Sequence, residues 1–187
     1  MGMPYGYLHV NKSLFKKPEM LQHIKSKDSI YIHGKIGTGK TWLMAAIMRE
    51  AAAKTKSIES TGAVYVEYSH LSGLFISLPE LAVRLRDSTR SRSDISERYL
   101  LNKYGKAPTL FLDDVGADRA TGYVKEQIRA FLYLLIERRS TGRNLRTVIT
   151  SNLNLSELAQ EYEERIASRI AGMCKIVKMS GKDRRHE

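Results

Sequence analysis

A single cysteine, Cys174, leaves this 187-residue chain without the pair that an internal disulfide requires, and no Cys/His spacing of zinc-ligand type accompanies it. The expected setting is a reducing cytoplasm. Only four prolines occur, and no repeat or low-complexity stretch marks a seam between two domains. No unbroken apolar run exceeds the length of Ala130–Ile136, far short of the roughly 20 residues a membrane span needs. Met1–Val10 lacks the pattern of a secretory signal. Acidic residues are outnumbered, 20 against 31 Lys+Arg, and the net charge of +11 favours polyanionic partners over acidic ones. What is present is 42% hydrophobic, enough to give a core to one domain of roughly 100–200 residues. The composition therefore describes a soluble, basic, intracellular protein with no membrane partner. Residues 1–28 are expected to pack as an N-terminal segment on a single unit formed by 29–187.

Short runs rich in β-branched residues, Ser29–His33, Ala63–Tyr68, Thr109–Asp113, Arg146–Thr150 and Cys174–Lys178, alternate with longer stretches of helical periodicity. The helices expected are Thr41–Ala53, Leu78–Asp87, Ser96–Tyr104 and Val124–Arg139, with two short ones within Ser156–Ile170. In the longest, Ile128, Phe131, Leu132 and Leu135 fall at i, i+3, i+4 and i+7 and form one buried stripe. Strands alternating with helices predict an α/β fold in which a parallel, five-stranded sheet lies between helices.

The strongest motif is Gly34-Lys35-Ile36-Gly37-Thr38-Gly39-Lys40-Thr41, a match to G-x-x-x-x-G-K-[ST] placed after a short strand and at the start of a helix. Glycines at 34, 37 and 39 permit backbone geometries closed to other residues and let successive N–H groups curl around an anion. The helix start adds its positive dipole end. In such a loop Lys40 reaches the β- and γ-phosphates of ATP and the Thr41 hydroxyl ligates Mg²⁺.

Thr109-Leu110-Phe111-Leu112-Asp113-Asp114 is an apolar strand ending in two carboxylates, the pattern of a Walker B strand. Asp113 is the expected Mg²⁺ partner, acting mostly through the ion's water shell, and Asp114 is expected to orient and polarise the attacking water.

The phosphate loop, Phe111–Ala117, Val148-Ile149-Thr150-Ser151-Asn152 and Glu164-Arg165-Ile166-Ala167-Ser168-Arg169-Ile170 follow one another in an order that resembles the AAA+ ATPase domain of the DnaC/DnaI helicase loaders and their relative IstB, over approximately Lys17 to Arg185. The resemblance implies a P-loop NTPase fold with little or no C-terminal helical lid. It implies that Asn152 is sensor 1, that Arg169 is an arginine finger serving the neighbouring subunit, with Arg165 the alternative, and that the protein assembles through its ATP interfaces. Related ATPases usually carry Glu where Asp114 stands, and loaders usually carry a longer region ahead of the first core strand. Arg184 and Arg185 are either a sensor 2 or a solvated tail.

The same resemblance implies ATP hydrolysis during DNA replication, with a hexameric replicative helicase as partner. In initiators and loaders an insertion between the second and third core strands tracks single-stranded DNA, and Arg84, Arg86, Arg90 and Arg92 fall in that interval. Tyr99 and Phe75 are the only aromatics placed to stack on bases there, Phe75 being the better core residue. Three other functions fit parts of the pattern: an IstB-like transposition helper on duplex DNA, a small-molecule kinase of the P-loop type, and a nucleotide-dependent scaffold. Tyr5, Tyr7 and Phe15 either cover the adenine or form a plain covering segment.

Overall fold

The computed structural model describes residues 15, 18–53, 73–89, 96–118 and 120–181. Their elements, in chain order, are α1 (Pro18–Lys25), β1 (Ser29–His33), α2 (Lys40–Ala53), β2 (Gly73–Ser77), α3 (Leu78–Ser88), α4 (Glu97–Gly105), β3 (Thr109–Val115), α5 (Gly122–Thr141), β4 (Arg146–Ser151), α6 (Leu155–Glu161), α7 (Glu164–Met173) and β5 (Cys174–Lys178). The strands form one sheet in the order β2-β3-β4-β1-β5, and every pairing is parallel. Parallel strands need crossover helices, which cover both faces and leave the strands almost wholly apolar.

Two apolar clusters sit on opposite sides of that sheet. Ile30, Ile32, Phe111 and Val148 pack with Leu43, Met44 and Ile47 of α2 and Ile24 of α1. Tyr31, Leu110, Leu112 and Ile149, their neighbours along the same strands, face the helices α3 to α7. Alternate residues of each strand thus serve the two layers, as the pleat requires. The expected stripe on α5 is buried, and Ile136 and Arg139 extend it. Phe75 packs against the α1/α2 cluster and is a core residue, not a stacking platform.

Several expected boundaries move by a residue or two, and two elements were not expected. The expected strand Ala63–Tyr68 lies outside the described residues; the strand that pairs with β3 is Gly73–Ser77. Its run Gly-Leu-Phe-Ile-Ser is short, lies outside every expected element and passes directly into α3. Ser77 is both the last strand residue and the N-cap of α3, accepting from the Glu80 N–H. Helix α1 falls within the expected N-terminal segment, and only Ile24 along it is buried.

At the amino end of the sheet a cation is sunk into the core. Arg139 is 2% exposed, and it donates to Thr147 Oγ1 at 2.7 Å, to the carbonyls of Tyr104 and Ala107 at 2.9 Å each, and to the carbonyl of Arg146. One side chain therefore joins the α4–β3 connection to the start of β4. Burial lowers its pKa to about 10, which leaves it charged at neutral pH. Replacing it with methionine keeps the apolar stem but strands these acceptors. We expect Arg139→Met to lower unfolding free energy by about 3 kcal/mol in urea denaturation. A loss below about 1 kcal/mol would show that the carbonyls find other donors.

Candidate functional site

The loop that leaves β1 is shaped by a close approach. Gly34, with φ +153, lies where an added Cβ would stand 2.2 Å from the Met179 carbonyl oxygen. The Met179 N–H donates to His33 O at 2.7 Å, so the chain leaving β5 runs directly against the start of the loop. Gly37 and Gly39 also have positive φ, +79 and +90, a region that non-glycine residues enter only at a cost. The loop then turns into the first turn of α2, and Thr38, 2% exposed, ties it back through Oγ1 to Lys35 O at 2.8 Å.

Lys40 is 5% exposed, and its ammonium donates to Gly34 O and Lys35 O at 2.9 Å each and to Asn152 Oδ1 at 2.7 Å. These neutral acceptors orient the charge toward the cradle formed by the glycines. Thr41 Oγ1 lies 3.2 Å from Asp113 Oδ1, bringing together the two oxygens expected to serve Mg²⁺. Hydroxyl and carboxylate are hard donors suited to that ion, which commonly takes only one or two carboxylates from the protein and the rest of its ligands from phosphate and water. The residues present therefore fit Mg²⁺ bound with a nucleoside triphosphate. Asp113 is 5% exposed. Burial, reinforced by the Asp114 carboxylate, pushes its carboxyl above the usual range, while hydrogen bonds from Thr150 and Thr41 pull it back.

Around this cluster lies a group of residues that motif reading passed over. Asp114 has φ +56, and its N–H donates to Thr150 Oγ1 at 2.9 Å. Ser151 Oγ donates to Val115 O at 2.6 Å and accepts from the Leu153 N–H at 3.0 Å. The Tyr162 hydroxyl donates to Asp118 and accepts from the Gly116 N–H at 3.1 Å. Asn154 caps α6 through a capping box with Glu157, which fixes the helix pair α6–α7 two residues beyond Asn152. The signal for Thr150 and Ser151 was present in the Thr-Ser-Asn run, of which only the last residue had a role to fill. Nothing local marks Tyr162 or Met179.

Arg169 is not brought to this cluster. It lies on α7, over the face opposite α2, where its guanidinium pairs with Glu137 of α5 and sits 5.8 Å from the Tyr133 ring centre. Hydrogen bonding to Tyr133 and the charge of Glu137 raise its pKa. Arg165 is more exposed and reaches Glu163 at 3.6 Å. Arg84 pairs with Glu80 at 2.8 Å, and Arg86 lines a shallow groove with Val83, Asp118 and Thr121. Tyr99 is half exposed, with Lys103 5.7 Å from its ring centre. Arg90, Arg92, Tyr5, Tyr7, Arg184 and Arg185 lie outside the described residues. Among the described residues no helix is long and apolar enough to cross a membrane.

A parallel sheet of this order, carrying a glycine loop and a helix start at the end of β1 and carboxylates at the end of β3, defines an α/β P-loop NTPase. Residues 30–173 match the model of the ATPase family associated with various cellular activities, AAA, and the chain belongs to that family. It is homologous to the replicative helicase loaders: DnaI of Bacillus subtilis is 28% identical over 169 residues, covering 84% of this chain and 47% of that protein. DnaC of Escherichia coli K12 is 28% identical over 142 residues, covering 76% of this chain and 49% of that protein. The chain thus spans about half the length of the curated relatives it matches. A crystal structure of DnaI superposes with a TM-score of 0.68 at 25% identity, covering 96% of each chain.

The Gly34 contact gives a direct test of the loop. We expect Gly34→Ala to weaken ATP binding ~10-fold or more, about 1.4 kcal/mol, because the Cβ must displace Met179 or the loop itself. Titration followed by fluorescence of Trp42, the chain's single tryptophan and the residue after Thr41, reads the change. Unaltered affinity would mean that the loop and the β5 end shift apart without consequence for the cradle.

Proposed function

We propose that this chain binds and hydrolyses ATP as the AAA+ module of a helicase-loader-type protein, acting with a hexameric replicative helicase and single-stranded DNA. The observation that carries the reading is the pairing, by hydrogen bonds at the carboxyl edge of the sheet, of Lys40 with Asn152 and of Thr41 with Asp113. The homology to loaders supports the partner class.

On this reading residues 29–187 act as one ATPase unit. The Gly34–Thr41 loop wraps the phosphates, and Lys40 exchanges its carbonyl and Asn152 contacts for the β- and γ-phosphate oxygens. Thr41 and Asp113 would hold Mg²⁺, which would supply positive charge against the phosphates. Asp114 accepts a proton from the attacking water, and Asn152, released from Lys40, turns to the γ-phosphate. Phosphoryl transfer spreads charge over the γ-phosphate oxygens, and an incoming guanidinium there is worth about 10³–10⁵ in rate. Arg169, held on another face of its own subunit, serves a neighbour. Head-to-tail contact of this kind builds rings or filaments. Arg84, Arg86, Arg90 and Arg92 supply charge for the backbone of single-stranded DNA.

Four outcomes test the reading. Lys40→Ala should abolish ATP binding, whereas Asp114→Asn should bind Mg-ATP and turn it over slowly. Arg169→Ala should bind ATP and hydrolyse about 10³-fold more slowly; mixed with Lys40→Ala it should regain activity, because each variant carries what the other lacks. No recovery in co-assembled subunits would remove Arg169 from the role and turn attention to Arg165. For DNA, replacing the four arginines with alanine should flatten the slope of log affinity against log salt by about 0.7 for each phosphate they neutralise. An unchanged slope would place the DNA surface elsewhere.

A further inference from the structure

Strands β3 and β4 pair in register as far as Leu112 opposite Ile149, and pairing resumes with Val115 opposite Ser151. Asp113 and Asp114 therefore both stand against Thr150, two residues against one. That count is a β-bulge, a feature uncommon between parallel strands and one that re-aims side chains. It falls at the two carboxylates on which the proposed hydrolysis depends. Asp114 within it has φ +56, a left-handed conformation uncommon for non-glycine residues and entered by aspartate more readily than by most.

The bulge takes the Asp114 N–H out of the regular ladder, and the Thr150 hydroxyl receives it at 2.9 Å. The same hydroxyl donates its proton to Asp113 Oδ1. Thr150 is 0% exposed, so no water can take over these bonds without opening the sheet. A single oxygen thus holds the backbone of one acid and the carboxylate of the other. Asp113 Oδ1 also accepts from Thr41, so its orientation is fixed from both sides. A valine here would fill the same volume and offer neither bond.

We propose that Thr150 is a positioning residue for hydrolysis: it stabilises the bulge that sets Asp114 against the γ-phosphate, whereas Asp113 keeps the Thr41 hydroxyl as a second donor when that of Thr150 is lost. The inference rests on the reading of Asp114 as the residue that polarises the attacking water. Thr150 is fully buried and acts through Asp114.

The test compares Thr150→Val, Thr150→Ser, Asp114→Asn and the double variant Thr150→Val/Asp114→Asn, all as full chains. We expect Thr150→Val to bind Mg-ATP within about threefold of the parent, since the phosphate loop is untouched, and to lose about tenfold or more in kcat, about 1.4 kcal/mol. Thr150→Ser, which keeps the hydroxyl, should retain most of the turnover. The double variant should be no slower than Asp114→Asn, because both changes disable one function. Amide exchange supplies a readout independent of turnover: the Asp114 N–H should lose protection in Thr150→Val and keep it in Thr150→Ser. Parent-like kcat in Thr150→Val beside a slow Asp114→Asn overturns the inference and leaves the function intact. Losses that multiply in the double variant also overturn it, since Thr150 would then act apart from Asp114. Parent-like turnover in Asp114→Asn rejects the role of Asp114 and the inference with it. Equal loss in the serine and valine variants overturns it as well, since a variant that keeps the hydroxyl would then fare no better than one that lacks it.

Discussion

The approach of Met179 to Gly34 is the constraint on which the site depends. It lets β5 finish against the very residue where β1 opens into the phosphate loop, and it does so by excluding any side chain there. Because β1 lies between β4 and β5, the loop emerges from the interior of the sheet, not from an edge. Both strands that flank β1 contribute: β5 confines the loop's entrance, and the segment leaving β4 supplies Asn152 to Lys40. The nucleotide cradle is therefore an outcome of strand order as much as of the glycines within it.

Charge in this cradle is steadied by dipoles. Lys40 donates to two carbonyl oxygens and an amide oxygen, while the nearby Asp113 accepts from the hydroxyls of Thr41 and Thr150. Each of these neutral groups fixes the direction of a charge without neutralising it. A phosphate entering the loop offers Lys40 ionised oxygens where the carbonyls offer only dipoles, and hydrogen bonds between two ionised groups are the stronger kind. The lysine is thus held in a pose that the nucleotide can improve upon.

Much of this was legible because phosphate binding dictates residue type and spacing together. The loop, the apolar strand before the two aspartates and the α5 stripe are local patterns, and the residues they name meet in space. The strand β2 was obscured because its five residues, Gly-Leu-Phe-Ile-Ser, are too few to set an alternation, and Ser77 ends one element while capping the next. The contact of Met179 with Gly34 joins residues far apart in the chain, and so does that of Tyr162 with the loop after β3; neither leaves a periodic trace. Thr150 is a different case. It was visible in the Thr-Ser-Asn run, but its part depends on a register shift that only paired strands reveal. Arg169 was singled out by resemblance, and its bond to Glu137 on a separate helix follows from the packing of α5 against α7.

The buried arginine at the foot of the sheet has a mechanical consequence. Arg139 rivets the α4–β3 connection and the start of β4 with an ion that stays charged well above neutral pH. At the other end of the same two strands the backbone departs from its ladder, at Asp114 and again after Ser151. The two strands are thus clamped by one buried cation where they begin and by side-chain hydroxyls where they end. The two ends therefore differ in what a single substitution can undo: at the foot one arginine serves four acceptors, while at the tips the bonds are spread over Thr150, Ser151 and Tyr162.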